Sequence, residues 1–437
     1  MKSKKILVVN FIILTLIAMI LLTSCAKFKT GITLTGDTQS AKTISNSGLV
    51  LNHGDYKYFI NGYVPATDIK EPSDNEFGKM KKGAIYRMKN VDGAKAELVV
   101  PTVVYSNAKG SGLVIYGNWI YYTTPSTDLH KTTGAIQTSF LNYMRTSLDG
   151  KNTQLVSTIK GNDVKHKFTK DGLMYFKEGS LYVKKYNEKL VEKKEKEIAS
   201  GIETIVFPYS SDTSNNVISK YAFYTTKTED YLEGAKVIKI DINGKNEEVK
   251  LDKAEYSLKT WFDEGENHFI YFTKSIFDGN AVNNVGLFRV SLNNDGSINQ
   301  QSVKKVVNGI VSDSLVVMNN EVFFIRNQQL IGVQDNVEKI YAIDFPTSAT
   351  LIAKEGRYMV YTSDGYLYKL DISDGATTLP QKISNIKVFL TWYQPEFLEG
   401  KVYYIADSDK QLYRNDIEDV DKEGLLIGEA IEKKESK

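Results

Sequence analysis

The chain has 437 residues, with 55 Lys and Arg against 53 Asp and Glu, four His and one Cys. A formal charge of +2 supplies no field to gather nucleic acid or anionic lipid, and no acidic excess to collect cations. One cysteine excludes an internal disulfide framework, while 42% hydrophobic and 11% aromatic residues exclude the disordered class.

The first element is a leader. Lys2, Lys4 and Lys5 precede an almost wholly apolar run from Ile6 to Ser24, and Leu22-Thr23-Ser24-Cys25 ends it with small residues before the thiol. The 19 residues of that run just suffice to span a bilayer. An uncleaved anchor and an ordinary secretory signal therefore stay open, although the usual A-x-A cleavage site is missing. The pattern resembles the lipobox of bacterial lipoprotein signals. That resemblance implies cleavage before Cys25, acylation of Cys25 (palmitate among the chains), and a place on the extracytoplasmic face of the cell membrane. Two or three acyl chains hold a protein durably where one holds it marginally. Residues 1–24 are read as signal peptide and 25–47 as a lipidated, flexible tether, Ser/Thr-rich from Ser40 to Ser47. If flexible it spans on the order of 25 Å. Part of Ile32–Leu34 is an alternative strand for closing the last blade.

From residue 48 to 428 the chain repeats a strand, a turn and a second strand, eight times. The first strands centre on Tyr58, Tyr121, Tyr175, Tyr224, Tyr271, Phe323, Tyr361 and Tyr403, a mean step of about 49 residues. The second strands are Ile85–Met88, Tyr143–Leu148, Leu181–Val183, Val237–Asp241, Leu287–Val290, Ile340–Asp344 in a weak sixth copy, Tyr366–Leu370 and Leu412–Arg414. Aromatic and β-branched residues favour a pleated surface, and ten Asn-Gly or Asp-Gly pairs supply hairpin turns. A repeat of this length is a propeller blade of four antiparallel strands. It also answers the size problem, because single cores stop growing near about 250–300 residues whereas a ring adds small cores side by side. The expected fold is an all-β propeller of eight blades, with seven as the alternative. Lys184–Lys196 is read as strand and loop of an outer hairpin, and 429–437 as a charged tail.

Tyr121-Tyr122-Thr123-Thr124, Phe223-Tyr224-Thr225-Thr226, Tyr271-Phe272-Thr273-Lys274 and Arg145-Thr146-Ser147-Leu148-Asp149-Gly150 resemble the YWTD-type propellers of the low-density lipoprotein receptor family. They are closest to bacterial relatives, a domain of unknown function in clostridial-type lipoproteins. Tyr or Phe replaces the signature Trp, and the signature Asp is absent. The resemblance implies the fold and, by analogy, ligand binding. It carries no catalytic residue.

The residues themselves offer little chemistry. His53, His130, His166 and His268 lie far apart in sequence and form no metal-ligand spacing, and no G-x-S-x-G elbow occurs. Asp416, Glu418, Asp419, Asp421 and Glu423 crowd carboxylates but lack the glycine of a calcium loop. Trp261-Phe262 and Trp392-Tyr393 are either sugar-stacking platforms or core. One positional signal remains. The two motif strands are separated by 7 residues in the third and seventh copies, but by 28, 22 and 17 in the first, second and fifth. In a propeller these hairpins share one face, so the loops Gly62–Lys82, Pro125–Ser139 and Lys274–Val285 gather on one rim. Tyr63, Asp68, Phe77, Asp128, His130, Phe277 and Asn280 are the candidate binding residues. The expected function is a lipid-anchored binding or scaffold module for a protein or cell-envelope ligand, a monomer without enzymatic activity, metal, cofactor or nucleic-acid partner. The alternative is a surface hydrolase or lyase acting on glycan or peptide through the channel. An assembly factor for envelope proteins is the third reading.

Overall fold

A computed structural model describes residues 43–427 with breaks, the longest at 65–82, 105–111, 130–135, 186–193, 209–219 and 228–233. Eight antiparallel sheets follow one another along the chain as the blades of a β-propeller, in strand order a-b-c-d from inside outward. Blade 1 comprises Val50–His53, Tyr56–Ile60, Ile85–Lys89 and Glu97–Val100; blade 2, Val114–Tyr116, Trp119–Leu129, Ile136–Ser147 and Thr153–Lys160. Blade 3 comprises Lys165–Thr169, Gly172–Lys177, Ser180–Lys185 and Lys196–Ala199; blade 4, Ile202–Val206, Tyr221–Thr226, Val237–Asp241 and Asn246–Glu248. Blade 5 comprises Glu255–Glu264, Asn267–Phe277, Val282–Leu292 and Ile298–Asn308; blade 6, Leu315–Met318, Glu321–Arg326, Gln329–Gln334 and Val337–Ala342. Blade 7 comprises Thr350–Glu355, Tyr358–Ser363, Tyr366–Asp371 and Gln381–Lys382; blade 8, Glu396–Leu398, Lys401–Ile405, Leu412–Asp416 and Leu425–Leu426. The count is eight, and the seven-blade alternative falls.

The core is not one mass but a set of clusters between adjacent sheets, one of them running through blades 8, 1 and 2. Val114, Tyr121, Val164 and Phe168 join blades 2 and 3, for example, and Phe323, Leu330, Met359 and Tyr361 join blades 6 and 7. The recurrent aromatics of the sequence have a specific task within each sheet. Phe59 and Tyr86, Tyr175 and Tyr182, Phe272 and Phe288, Tyr361 and Tyr368, and Tyr404 and Tyr413 stack across strands b and c at 5.4–6.1 Å. Cross-strand aromatic pairs of this kind set register as well as burying area.

A second device repeats with the blades. Strand c carries Arg or Lys at one equivalent position in six of them: Arg87, Arg145, Lys239, Arg289, Lys369 and Arg414. In blades 1, 2, 4, 5 and 7 this cation lies over the ring that begins strand b, namely Tyr56, Trp119, Tyr221, Phe269 and Tyr358, at 4.1–5.1 Å. Directly opposite on strand d, blades 1, 2, 4 and 7 place Glu97, Gln154, Glu247 and Gln381. In three blades the cation also reaches the c–d turn of the next sheet. Arg87 donates to Leu148 O (2.8 Å), Lys239 to Gly296 O (2.5 Å) and Lys369 to Ile417 O (2.7 Å). These bonds are charge-assisted and so among the stronger ones. They staple neighbouring blades in addition to the apolar surface that the blades share.

Among the described residues ring closure uses no exchanged strand, since strands a to d of every blade are consecutive in the chain. The seam between blades 8 and 1 is held by side chains and by the backbone bond from Tyr63 N–H to Lys410 O (2.8 Å). Glu396 Oε2 accepts the backbone N–H of Leu49 (2.7 Å) and Val50 (3.0 Å), and Lys57 Nζ donates to Tyr403 OH (2.9 Å). Gly62, at φ +83°, lies where an added Cβ would stand 2.2 Å from Lys410 O, so the seam admits glycine alone there. Burial pushes the Glu396 carboxyl up to about 8.

Thr43–Ser45, assigned to the tether from sequence, pairs antiparallel with Val114–Tyr116 as a fifth strand on the inner edge of blade 2. Ile32–Leu34 lies outside the described residues. The sixth copy also needs correction. Ile340–Tyr341 belongs to the outer strand d, and strand c is Gln329–Gln334. The b–c and c–d turns there are Asn327-Gln328 and Asp335-Asn336, all four at φ between 49° and 65°. They form tight hairpins without the glycine that marks such turns elsewhere. Lys184–Lys196 is strand at both ends, within Ser180–Lys185 and Lys196–Ala199, its middle lying outside the described residues.

Candidate functional site

Meandering sheets place all b–c hairpins and d–a connections on one face of the ring, and all a–b and c–d turns on the other. The three long connections are b–c hairpins of blades 1, 2 and 5, so they do share a face. Two of them are not loops. In blade 2 pairing continues through Thr124–Asn142 and Pro125–Leu141 to Leu129–Ile136. In blade 5 it continues from Lys274–Gly286, past a bulge, to Phe277–Val282. Both rise from the rim as β-ribbons. Gly286, at φ 150°, permits the second, because a Cβ there would stand 2.2 Å from Val307 O.

The blade 5 ribbon is the best-defined part of the rim. Asp278 closes its tip by accepting Ala281 N–H at Oδ1 (3.0 Å) and Asn283 Nδ2 at Oδ2 (2.7 Å). Ile276, Phe277 and Val282 are 41, 44 and 49% exposed. Three large apolar side chains held out on a fixed turn are what a contact surface presents.

The other candidate residues are distributed differently. Tyr63 is buried: its ring stacks on Phe389 at 5.1 Å and meets Tyr393 edge-on at 6.4 Å, under the blade 8 to blade 1 seam. It is a closing residue of the ring, a role its place beside Asn61-Gly62 does not announce. Asp128 lies on the blade 2 ribbon. Asp68, Phe77, His130 and Asn280 fall outside the described residues.

The remaining chemistry reads as structure. His166 is edge-on to Tyr143 at 5.0 Å, and burial pushes its imidazole down to about 4; His268 is fully buried. His53 is lowered by burial on strand a of blade 1. Lys167 is wholly buried with its ammonium on Pro208 O (2.6 Å) and Tyr221 O (2.9 Å), linking blades 3 and 4. Among the described residues no three His, Cys, Asp or Glu side chains converge as a metal site. The Asp416–Glu423 run is the c–d turn of blade 8. Asp419 accepts Asp416 N–H (3.0 Å), Asn415 Nδ2 (3.2 Å) and Lys422 Nζ (2.7 Å), and Glu418 accepts Tyr358 OH of blade 7 (3.2 Å). Trp261, Phe262 and Tyr393 pack on core clusters and form no open platform. Trp392 is outside the described residues.

No family profile matches the chain, and no curated protein sequence does. Solved structures do. A prolyl endopeptidase matches at 11% identity and TM-score 0.43, over 86% of this chain and 54% of that one. Dipeptidyl peptidase 4 of Porphyromonas gingivalis matches at 12% and 0.39, over 68% and 50%. PorZ of the same organism, a surface component of the type-IX secretion system, matches at 13% and 0.33, over 57% and 32%. The chain thus spans about half the length of the two peptidases. The expectation of a chain without enzymatic activity is corrected by these matches, since two of them are enzymes and propellers are no mark of an inert protein. Likenesses of this size carry no activity across to this chain either.

Proposed function

We propose that this propeller is a lipid-tethered module of the cell envelope that presents its b–c rim to an extracytoplasmic protein or envelope ligand. The observation that carries the reading is the direction of Thr43–Ser45. Strand a of blade 2 runs from the b–c face toward its a–b turn, and Thr43 pairs with Tyr116 while Ser45 pairs with Val114. The chain therefore enters the ring from the a–b face, passes along its inner wall and emerges on the b–c face before starting blade 1. A lipid on Cys25, 18 residues earlier, would hold the a–b face toward the membrane and the ribbons away from it. The lipobox-like Leu22–Cys25 and the exposed Ile276, Phe277 and Val282 support the same arrangement.

The test uses the full chain expressed in a bacterium. Labelled palmitate is expected in the wild type and absent from Cys25→Ala. The triple change Ile276→Ser, Phe277→Ser and Val282→Ser removes only exposed side chains, so the melting temperature should stay within a few degrees. In the Cys25→Ala background, where no lipid holds the chain to the membrane, co-sedimentation with isolated cell envelopes should fall at least tenfold on the triple change. Unchanged sedimentation would remove the rim from the reading, and a labelled Cys25→Ala would remove the anchor.

A further inference from the structure

In blades 1, 2 and 4 one oxygen from strand d answers the cation of strand c. Glu97 Oε2 accepts Arg87 Nε (2.9 Å) and Nη2 (2.9 Å), and Gln154 Oε1 accepts Arg145 Nε (3.1 Å) and Nη2 (2.8 Å). Lys239 donates to Glu247 Oε2 (2.5 Å). A single acceptor atom thus bridges the Nε–Nη2 edge of each arginine. Blade 5 lacks that atom. Its Arg289 keeps the aromatic beneath it, Phe269, at 4.5 Å, but the residue opposite on strand d is Lys304. Two cations directly opposite each other on a ladder cost stability.

Arg289 Nη1 is taken by Asn320 Oδ1 of blade 6 and, at 3.4 Å, by Tyr271 OH. Its Nε and Nη2 have no acceptor among the described residues, and Lys304 makes no hydrogen bond or ion pair there. The open edge is therefore the one that Glu97 and Gln154 fill in blades 1 and 2. The space beside it, between blades 5 and 6 on the face opposite the ribbons, has room for about one water molecule. Arg289, Lys304, Asn320, Asp335 and Asn336 are its polar groups. Asp335 forms no ion pair with either cation among the described residues, and one carboxylate against two cations leaves a single positive charge. A sulfate or phosphate brings four oxygens and a second negative charge, too much for this space and this balance. A monatomic monoanion fits both, in the place of the missing oxygen.

We infer that blade 5 binds a single halide ion between strands c and d, held on Arg289 Nε and Nη2 and on the ammonium of Lys304. The ion replaces the strand d oxygen of the sister blades and separates the two cations. The site is independent of the rim and of the lipid anchor.

The experiment titrates sodium chloride into the full chain in detergent micelles, with sodium gluconate holding the ionic strength constant. Chlorine-35 NMR line broadening and the melting temperature are the readouts. Wild type should broaden the chloride line saturably and melt higher as chloride fills the site. Bromide should displace the bound chloride, and sulfate at equal ionic strength should be at least tenfold less effective. Lys304→Glu copies blades 1 and 4, and Lys304→Gln copies blades 2 and 7. Both should fold, lose at least tenfold in chloride affinity, and melt at a temperature that chloride no longer moves. Asp335→Asn should bind chloride several-fold more tightly than wild type. No saturable broadening, undiminished broadening by either folded Lys304 variant, or displacement by sulfate as effective as by bromide would each overturn the assignment.

Discussion

Glu396→Gln should make the protein more stable at pH 8 and leave it unchanged at pH 4. Glu396 closes the ring by accepting two backbone N–H groups of blade 1 from a carboxyl that burial pushes up to about 8. In the unfolded chain the same group ionises near 4.5. Between those two values the native state binds a proton that the unfolded state does not. Stability contributed by the protonated carboxyl is therefore complete below 4.5, is lost as pH rises through 8, and is level above that. The loss amounts to roughly 2–4 kcal/mol after allowing for the part-exposed site. Glutamine keeps an acceptor oxygen for Leu49 and Val50 and has no proton to lose. Thermal melts from pH 4 to pH 9 should converge at the acid end and separate by several degrees at the basic end, wild type below variant. Parallel curves would show that Glu396 does not titrate across this range.

Arg145→Ala should be among the most damaging single changes in the chain. Arg145 is fully buried, its guanidinium lying 4.1 Å from the Trp119 ring with Gln154 Oε1 at 2.8 Å from Nη2 and Tyr121 OH at 3.4 Å from Nη1. Truncation opens a cavity between blades 2 and 3 and strands the Gln154 and Tyr121 polar atoms, a loss of roughly 3–5 kcal/mol. Arg145→Met retains most of the volume and should cost less. Arg87 occupies the same repeat position but is part-exposed, and its ion pair with Glu97 is open to water. With its bond to Leu148 O also lost, Arg87→Ala should cost about 1–2 kcal/mol, still less than Arg145→Ala. Denaturant unfolding of the three variants orders them, and equal losses for Arg145→Ala and Arg87→Ala would contradict the assigned difference in burial.

The blades were legible in the sequence because their aromatics recur at a fixed step and stack in pairs such as Tyr175 with Tyr182 and Tyr361 with Tyr368. The sixth blade was misread for a physical reason: Asn327-Gln328 and Asp335-Asn336 reach positive φ without glycine, so its two tight hairpins carry no Asn-Gly or Asp-Gly mark. The shared face of the long hairpins followed from topology. Their conversion into ribbons did not, because Pro125–Ser139 and Lys274–Val285 read as loops until the pairing within them is seen. Tyr63 failed as a rim residue because ring closure brings Phe389 and Tyr393, more than 300 residues away, onto it.

The account stands on a ring closed by direct contacts between its first and last blades. Pulsed electron-paramagnetic-resonance distances test this in a Cys25→Ala background, with nitroxides at Asp55→Cys and Glu399→Cys in the a–b turns of blades 1 and 8. A second pair, Asp55→Cys with Asp295→Cys, spans blades 1 and 5 across the ring. A closed ring gives one narrow distance for the first pair, well short of the second. A broad first distribution, or one as long as the second, would mean that blades 1 and 8 do not meet.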